Sequence, residues 1–167
     1  MRATRPEGDQ RLNIAYCRRA GFSLAEQLVV VTIIGLLAVI AVPSFSDALH
    51  RRAASAASDQ FVMAHGLARS TALRYGRVSE LHIQPATARF WIAVDTSGAG
   101  QTALITHTRS VAEGGLKMTS SRTLLCFDPH GLSSTTGNCE PGDATVVFTS
   151  ADKVDTVRTT ALGKVLR

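Results

Sequence analysis

Residues 22–42 read FSLAEQLVVVTIIGLLAVIAV, an apolar run in which Glu26 is the one charged position. At 1.5 Å per residue this run would form a helix of about 31 Å, the thickness of a bilayer's hydrocarbon core. Pro43 follows and predicts a kink rather than a stop, because it removes one backbone donor but leaves the helical φ intact. Residues 44–75 are rich in alanine and carry one glycine, Gly66, and no proline. Phe45 and Leu49, Met63 and Leu67, and Ala68 and Ala72 recur at i,i+4. That spacing predicts a continued amphipathic helix whose apolar, Met and Phe positions face a core. Asp47, Arg51, Arg52, Asp59 and Arg69 point largely elsewhere. Gly76 fits the residue after the helix, where a left-handed backbone is common.

Beyond Gly76 the period changes to two. Residues 77–83 and 88–94 predict two strands joined by the turn 84–87, a hairpin. A glycine-containing loop is expected at 95–101. Further strands are predicted at 102–106, 116–118, 123–127, 144–149, 154–160 and 164–167, the last after a turn at Gly163. The pattern predicts an α+β fold, a long N-terminal helix packed on a small antiparallel β-sheet head.

Length and charge refine this picture. At 167 residues the chain has room for one modest domain. Its net charge is +5. The first 21 residues hold five arginines and two acids, +3, which leaves +2 for the rest. The basic character therefore belongs mainly to the N-terminus, which weakens any case for a nucleic-acid-binding body from overall charge. Arg18 and Arg19 stand just before the apolar run, and the positive-inside rule keeps them on the cytoplasmic side. Everything after Pro43 would then lie across the membrane.

Three kinds of export signal share this layout. A general secretory signal would be cut after Ala48, using Ser46 and Ala48 as the small residues. A twin-arginine signal would use Arg18-Arg19. The third fits best. Basic residues, then Ala20-Gly21, then Phe22-Ser23-Leu24-Ala25-Glu26 and an unbroken apolar run resemble the type IV prepilin signature. The resemblance implies that a prepilin peptidase of the inner membrane cuts after Gly21 and that Phe22 becomes the N-methylated N-terminus. Residues 1–21 would be the removed leader, 22–43 the transmembrane half of the helix, 44–76 its amphipathic half, and 77–167 the β-rich head. Glu26 is then fifth in the mature chain, where the family pairs this carboxylate with the N-terminal amine of a neighbouring subunit. Pro43 falls twenty-second, where family members commonly carry a helix-kinking proline.

The C-terminal third narrows the resemblance. Phe127-Asp128-Pro129-His130-Gly131 and the ending Gly163-Lys164-Val165-Leu166-Arg167 are similar to the "FDPxG" turn and Gly-basic ending of the GspH/FimT branch. That resemblance implies a minor subunit held in the inner membrane with a periplasmic head, whose partners are other major and minor pseudopilins or pilins. It fits a type II secretion pseudopilus or a type IV pilus, and the secretion reading is preferred. Some FimT-like pilins are linked to DNA uptake through a basic C-terminal motif. Here Lys153, Arg158, Lys164 and Arg167 could form such a patch. The ending differs from Gly-Arg-x-Arg, however, and a charged strand edge that resists aggregation is the simpler reading.

Cys17 would leave with the leader, so Cys126 and Cys139 remain in an oxidising compartment and are expected to pair. A metal site of Cys126, His130 and Cys139 is the alternative, but it lacks an evident fourth ligand. His50, His65, His82, His107 and His130 form no HExxH pair or close cluster and are expected at the surface. No GxSxG elbow and no phosphate-binding glycine loop followed by a helix is present. The sequence therefore predicts a non-enzymatic protein with no cofactor.

Overall fold

The computed structural model describes residues 22–96, 103–105, 108–112, 115–136, 139 and 141–167. The leader with Gly21 and Cys17, most of the 95–101 loop and His107 lie outside them. The chain divides into two units, Met1–Ile40 and Ala41–Arg167.

One helix, α1, runs from Leu24 to Tyr75, 52 residues with Pro43 inside it. In the first unit, described from Phe22, every residue of α1 is exposed. This stretch is long and apolar enough to cross a membrane. The helix ends as its sequence predicts. Gly76 has φ +63°, and the Arg77 N–H donates to the Ala72 carbonyl at 3.3 Å, closing a Schellman-type cap.

The rest of the second unit is antiparallel β-structure. Strands β1 (Ser79–Gln84), β2 (Arg89–Val94), β3 (Ala103–Leu104), β4 (Arg109–Ser110) and β6 (Leu124–Phe127) make a first sheet in the order β3-β2-β1-β6, with β4 also on β2. Strands β5 (Lys117–Ser120), β7 (Ala144–Ser150), β8 (Lys153–Thr159) and β9 (Val165–Leu166) make a second sheet in the order β5-β7-β8-β9. The β1–β2 hairpin pairs Ser79 with Val94 and Gln84 with Arg89, around a short 3-10 turn at Pro85–Thr87. Strict alternation on β7 buries Ala144, Val146, Phe148 and Ser150 and turns Thr145, Val147 and Thr149 outward, the sign of a half-covered sheet.

Both sheets bury one face against α1 in a single apolar cluster. Phe61 anchors it. Its ring meets Phe90 of β2 edge-on at 5.8 Å and lies 6.0 Å from Phe148 of β7, so one helical side chain touches both sheets.

Of the positions expected to face the core, Phe61, Ala68 and Ala72 do, whereas the pairs Phe45–Leu49 and Met63–Leu67 lie on the other side of α1. Its buried positions are Ala54, Ala57, Ser58, Phe61, Ala64, His65, Ala68, Thr71 and Ala72. Phe45, Leu49, Met63 and Leu67 are exposed, Met63 by 71%. The physical reason is proximity. Sheet side chains as large as Phe90, Phe148 and Ile92 fill much of the space against the helix, so small side chains predominate around Phe61 on the face opposite them. His65 corrects a second expectation, because it is 2% exposed. Strand β4 was not foreseen, and Leu116 precedes β5 instead of joining it.

Candidate assembly site

The residues singled out by the sequence fall in three places. The first is the start of α1. Phe22 and Glu26 are exposed there, and Ser23 stands immediately before the helix. The Glu26 N–H donates to the Ser23 hydroxyl at 3.2 Å. Ser23-x-x-Glu26 is the pattern of a capping box, a signal that was present in the sequence and was read only for its resemblance to a processing site.

The second is the exposed stripe of α1. Within the second unit, Phe45, Leu49, Met63 and Leu67 are exposed on a side of the helix that the sheets leave bare. Hollows border it. One is lined by Ala53, Ala56, Gln60, Val111 and Leu116, the next by Gln60, Met63, Leu67, Trp91 and Arg109. Ala53, Ala56, Gln60, Met63 and Leu67 repeat at alternating spacings of three and four, the pattern with which one helix meets another.

The third is the C-terminal region, where Arg158 pairs with Leu166 on β9, close to Lys164 and Arg167, while Lys153 stands at the far end of β8. Lys153 lies 2.8 Å from Asp152 and 3.4 Å from Asp47 of α1. Beside it the His50 ring is 3.0 Å from the Ser150 hydroxyl. Arg167 donates to Asp59, to the carbonyl and hydroxyl of Ser55 at 3.1 and 3.0 Å, and to Asp155 at 3.0 Å. Both cations therefore fasten β8 and the chain end to α1. Arg158 and Lys164 are exposed. Arg158 is five residues from Lys153, about 16 Å along an extended strand.

The FDPHG turn is built the same way. The Asp128 carboxylate accepts the N–H groups of His130 and Leu132 at 2.9 and 2.8 Å. Gly131 has φ +77° and Gly163 φ +72°, and both pack against Arg69 of α1. A β-carbon at Gly131 would lie 2.8 Å from Arg69 Nε, and one at Gly163 would lie 2.7 Å from the Gly131 carbonyl oxygen. The two motifs that resemble the GspH/FimT branch thus meet on one arginine of the helix, which gives them a structural role.

Cys126 and Cys139 form a disulfide, 13 residues apart in sequence. Among the described residues no cluster of metal-ligating side chains is present. Closing a loop of about 14 residues is worth roughly 3 kcal/mol in the chain-entropy model. Reduction with dithiothreitol is expected to lower the urea midpoint of the head accordingly, and a Cys126→Ser/Cys139→Ser variant is expected to match the reduced protein.

His65 packs edge-on against Phe127, ring centres 4.8 Å apart. Burial, with Arg69 nearby, lowers its pKa to about 4. The unfolded imidazole titrates near 6.5, so between these values the unfolded chain binds the extra proton. Stability is therefore full above about pH 6.5, falls as the pH drops toward 4, and levels off below. The loss is on the order of 3 kcal/mol. Urea unfolding from pH 7 to 4 should show this slope, and His65→Leu should flatten it.

A membrane-length helix whose second half is packed under two small antiparallel sheets defines a pilin-like protein. The family model of type II transport protein GspH matches residues 57–163, and the chain belongs to that family. FimU, a type IV minor pilin of Pseudomonas aeruginosa, matches with TM-score 0.55 at 16% identity, over 70% of this chain and 88% of its own. EpsH, a minor pseudopilin from the type 2 secretion system of Vibrio cholerae, matches with TM-score 0.51 at 17% identity, over 68% and 94%. At these identities both matches speak for the fold. No curated protein matches the sequence significantly. The family is one of structural pilin and pseudopilin subunits.

Proposed function

We propose that this chain is a minor pseudopilin, a structural subunit of a type II secretion pseudopilus that supports protein export across the outer membrane. In this reading a prepilin peptidase cuts after Gly21 and Phe22 becomes the N-terminus. The apolar half of α1 anchors the chain in the inner membrane, and the head lies in the periplasm. Glu26 then pairs with the N-terminal amine of a neighbouring subunit. Two charges that are costly alone in lipid offset each other on assembly.

The observation that carries this reading is the bare apolar surface of α1. In the first unit every described residue of the membrane-length segment is exposed, and in the second Phe45, Leu49, Met63 and Leu67 are exposed as well, on a head that has a core of its own. Large exposed apolar surfaces mark sites of association. The engagement of Lys153 and Arg167 with acids of the same chain favours the secretion role over a FimT-like minor pilin that binds DNA.

The test is the intact mass and N-terminal peptide of the protein from membranes of its native host, together with its co-purifying partners. A chain that starts at N-methylated Phe22 and travels with secretion pseudopilins supports the proposal. A chain that starts at Leu49 sinks it, because Glu26 and the anchor would be lost. Recovery with pilus subunits alone would move the assignment to the type IV pilus.

A further inference from the structure

Where α1 leaves its apolar run it carries a basic pair. Ala41 and Val42 end the run, and Arg51 and Arg52 follow nine and ten residues after Val42. Both are exposed, and among the described residues neither forms an ion pair. Lys153 differs, with Asp152 at 2.8 Å and Asp47 at 3.4 Å. The helix acids on either side of the pair, Asp47 and Asp59, are held by Lys153 and Arg167. The pair also stands against a bias. Arginines within about 15–20 residues of a membrane span are favoured on the cytoplasmic side, and this pair follows the span on the other side. Its neighbours on the helix surface are apolar. Phe45, Leu49 and Arg52 share one face by their i,i+4 and i,i+3 spacing, and Phe45 and Leu49 are 67% and 49% exposed.

We propose that Arg51 and Arg52 bind the anionic phospholipid headgroups of the bilayer that α1 enters, with Phe45 and Leu49 seated at the interface. Ten helical residues rise about 15 Å, and the headgroup layer extends about 5–8 Å beyond the hydrocarbon core. The side chains of a helix lean toward its N-terminus, here toward the bilayer. A long arginine stem lies along apolar surface while its guanidinium reaches for the charged layer. Tilt of the span, about 20° on average, brings the pair closer still. A guanidinium then binds phosphate through paired, charge-assisted hydrogen bonds. An apolar face edged by arginine is the composition of a segment that lies on an anionic membrane. This inference rests on the membrane anchoring described under the proposed function, and it adds the class of lipid that the emerging helix selects.

The experiment uses the full mature chain, starting at Phe22, in nanodiscs of phosphatidylcholine alone or mixed with phosphatidylglycerol. Native mass spectrometry of the released protein counts the lipids that each chain retains. The wild type is expected to retain phosphatidylglycerol in preference to phosphatidylcholine. Arg51→Gln and Arg52→Gln are each expected to lower that preference about fivefold, and the two together about twentyfold, the scale of one and two basic residues at an anionic surface. Arg51→Lys/Arg52→Lys keeps both charges and is expected to keep most of the preference. Arg74→Gln, in the last turn of α1, is expected to leave it unchanged. The proposal is overturned if the wild type shows no preference, if Arg51→Gln/Arg52→Gln retains phosphatidylglycerol like the wild type, or if Arg74→Gln loses it equally. If Arg51→Gln/Arg52→Gln keeps the lipid but drops out of assemblies in the native host, the pair serves an acid of a neighbouring subunit, and the proposal falls as well. A wild-type chain that fails to enter the nanodiscs overturns the anchoring reading itself, which is seen before any lipid is counted.

Discussion

Glu26→Val should leave the cut after Gly21 intact and yet reduce the chain's share of assembled filament at least tenfold. The cut needs the residues at the junction, which the substitution spares. Assembly under the proposed mechanism needs the carboxylate. With valine in its place, the amine of the neighbouring subunit must enter lipid unpaired. A lone charge near mid-bilayer costs about 2.5–3.5 kcal/mol on insertion scales, and every 1.4 kcal/mol is about a factor of ten in an equilibrium. A charge nearer the interface costs less, so tenfold is the lower end of the expectation. Intact mass of membrane-extracted protein reports the cut, and co-purification with partner subunits reports assembly. A variant that is processed and recovered with its partners at the wild-type level would remove the ion pair from the mechanism.

Phe61→Ala is expected to be the most damaging single change in the head. The ring is 0% exposed and contacts Phe90 and Phe148 on two different sheets. Its neighbours along the same helical face include Ala57, Ser58 and Ala64, which are too small to extend into the vacated space. Truncating a buried phenylalanine costs about 3–5 kcal/mol, the upper part where the cavity cannot collapse. That is a large share of the 5–15 kcal/mol typical of a domain. Urea unfolding of the head from residue 44 onward measures it. Met63→Ala, two residues away, serves as the contrast. Met63 is 71% exposed, and a surface change of this kind is expected to stay within about 0.5 kcal/mol. Equal effects at the two positions would contradict the orientation of α1.

The sequence made the helix and most strands legible because their signals are local. The apolar run, the alternation at 144–149 and the glycine after Tyr75 each act through neighbours in the chain. The inward face of α1 was not legible in the same way. Phe45, Leu49, Met63 and Leu67 are bulky and form regular i,i+4 pairs, yet they are exposed, and the core took the side that carries Phe61 among alanines. Side-chain size alone does not reveal that choice, because it depends on how much volume the facing sheets bring. His65 belongs to the same case, since its burial follows from the neighbouring Phe127 on β6, far away in sequence. The roles of Lys153 and Arg167 depend on acids more than 100 residues earlier in the chain, Asp47 and Asp59, and no spacing rule connects them. Ser23 differs, because its capping pattern was in plain view at a place already assigned to another purpose.

The alanine face of α1 also has a mechanical meaning. A helix that presents mostly methyl groups to two sheets offers little to catch against, so sliding along its own axis would meet low resistance over most of its contact. Phe61 and His65 are the large projections from that face. The remaining axial restraint comes from discrete polar fasteners, at Asp47 and His50 near one end, at Ser55 and Asp59 through Arg167, and at Arg69 against Gly163. A pull transmitted along the helix from its apolar end would therefore load these points in turn rather than the core as a whole. For a subunit that belongs to a family of filament proteins, the head would hold its helix the way a row of pins holds a shaft.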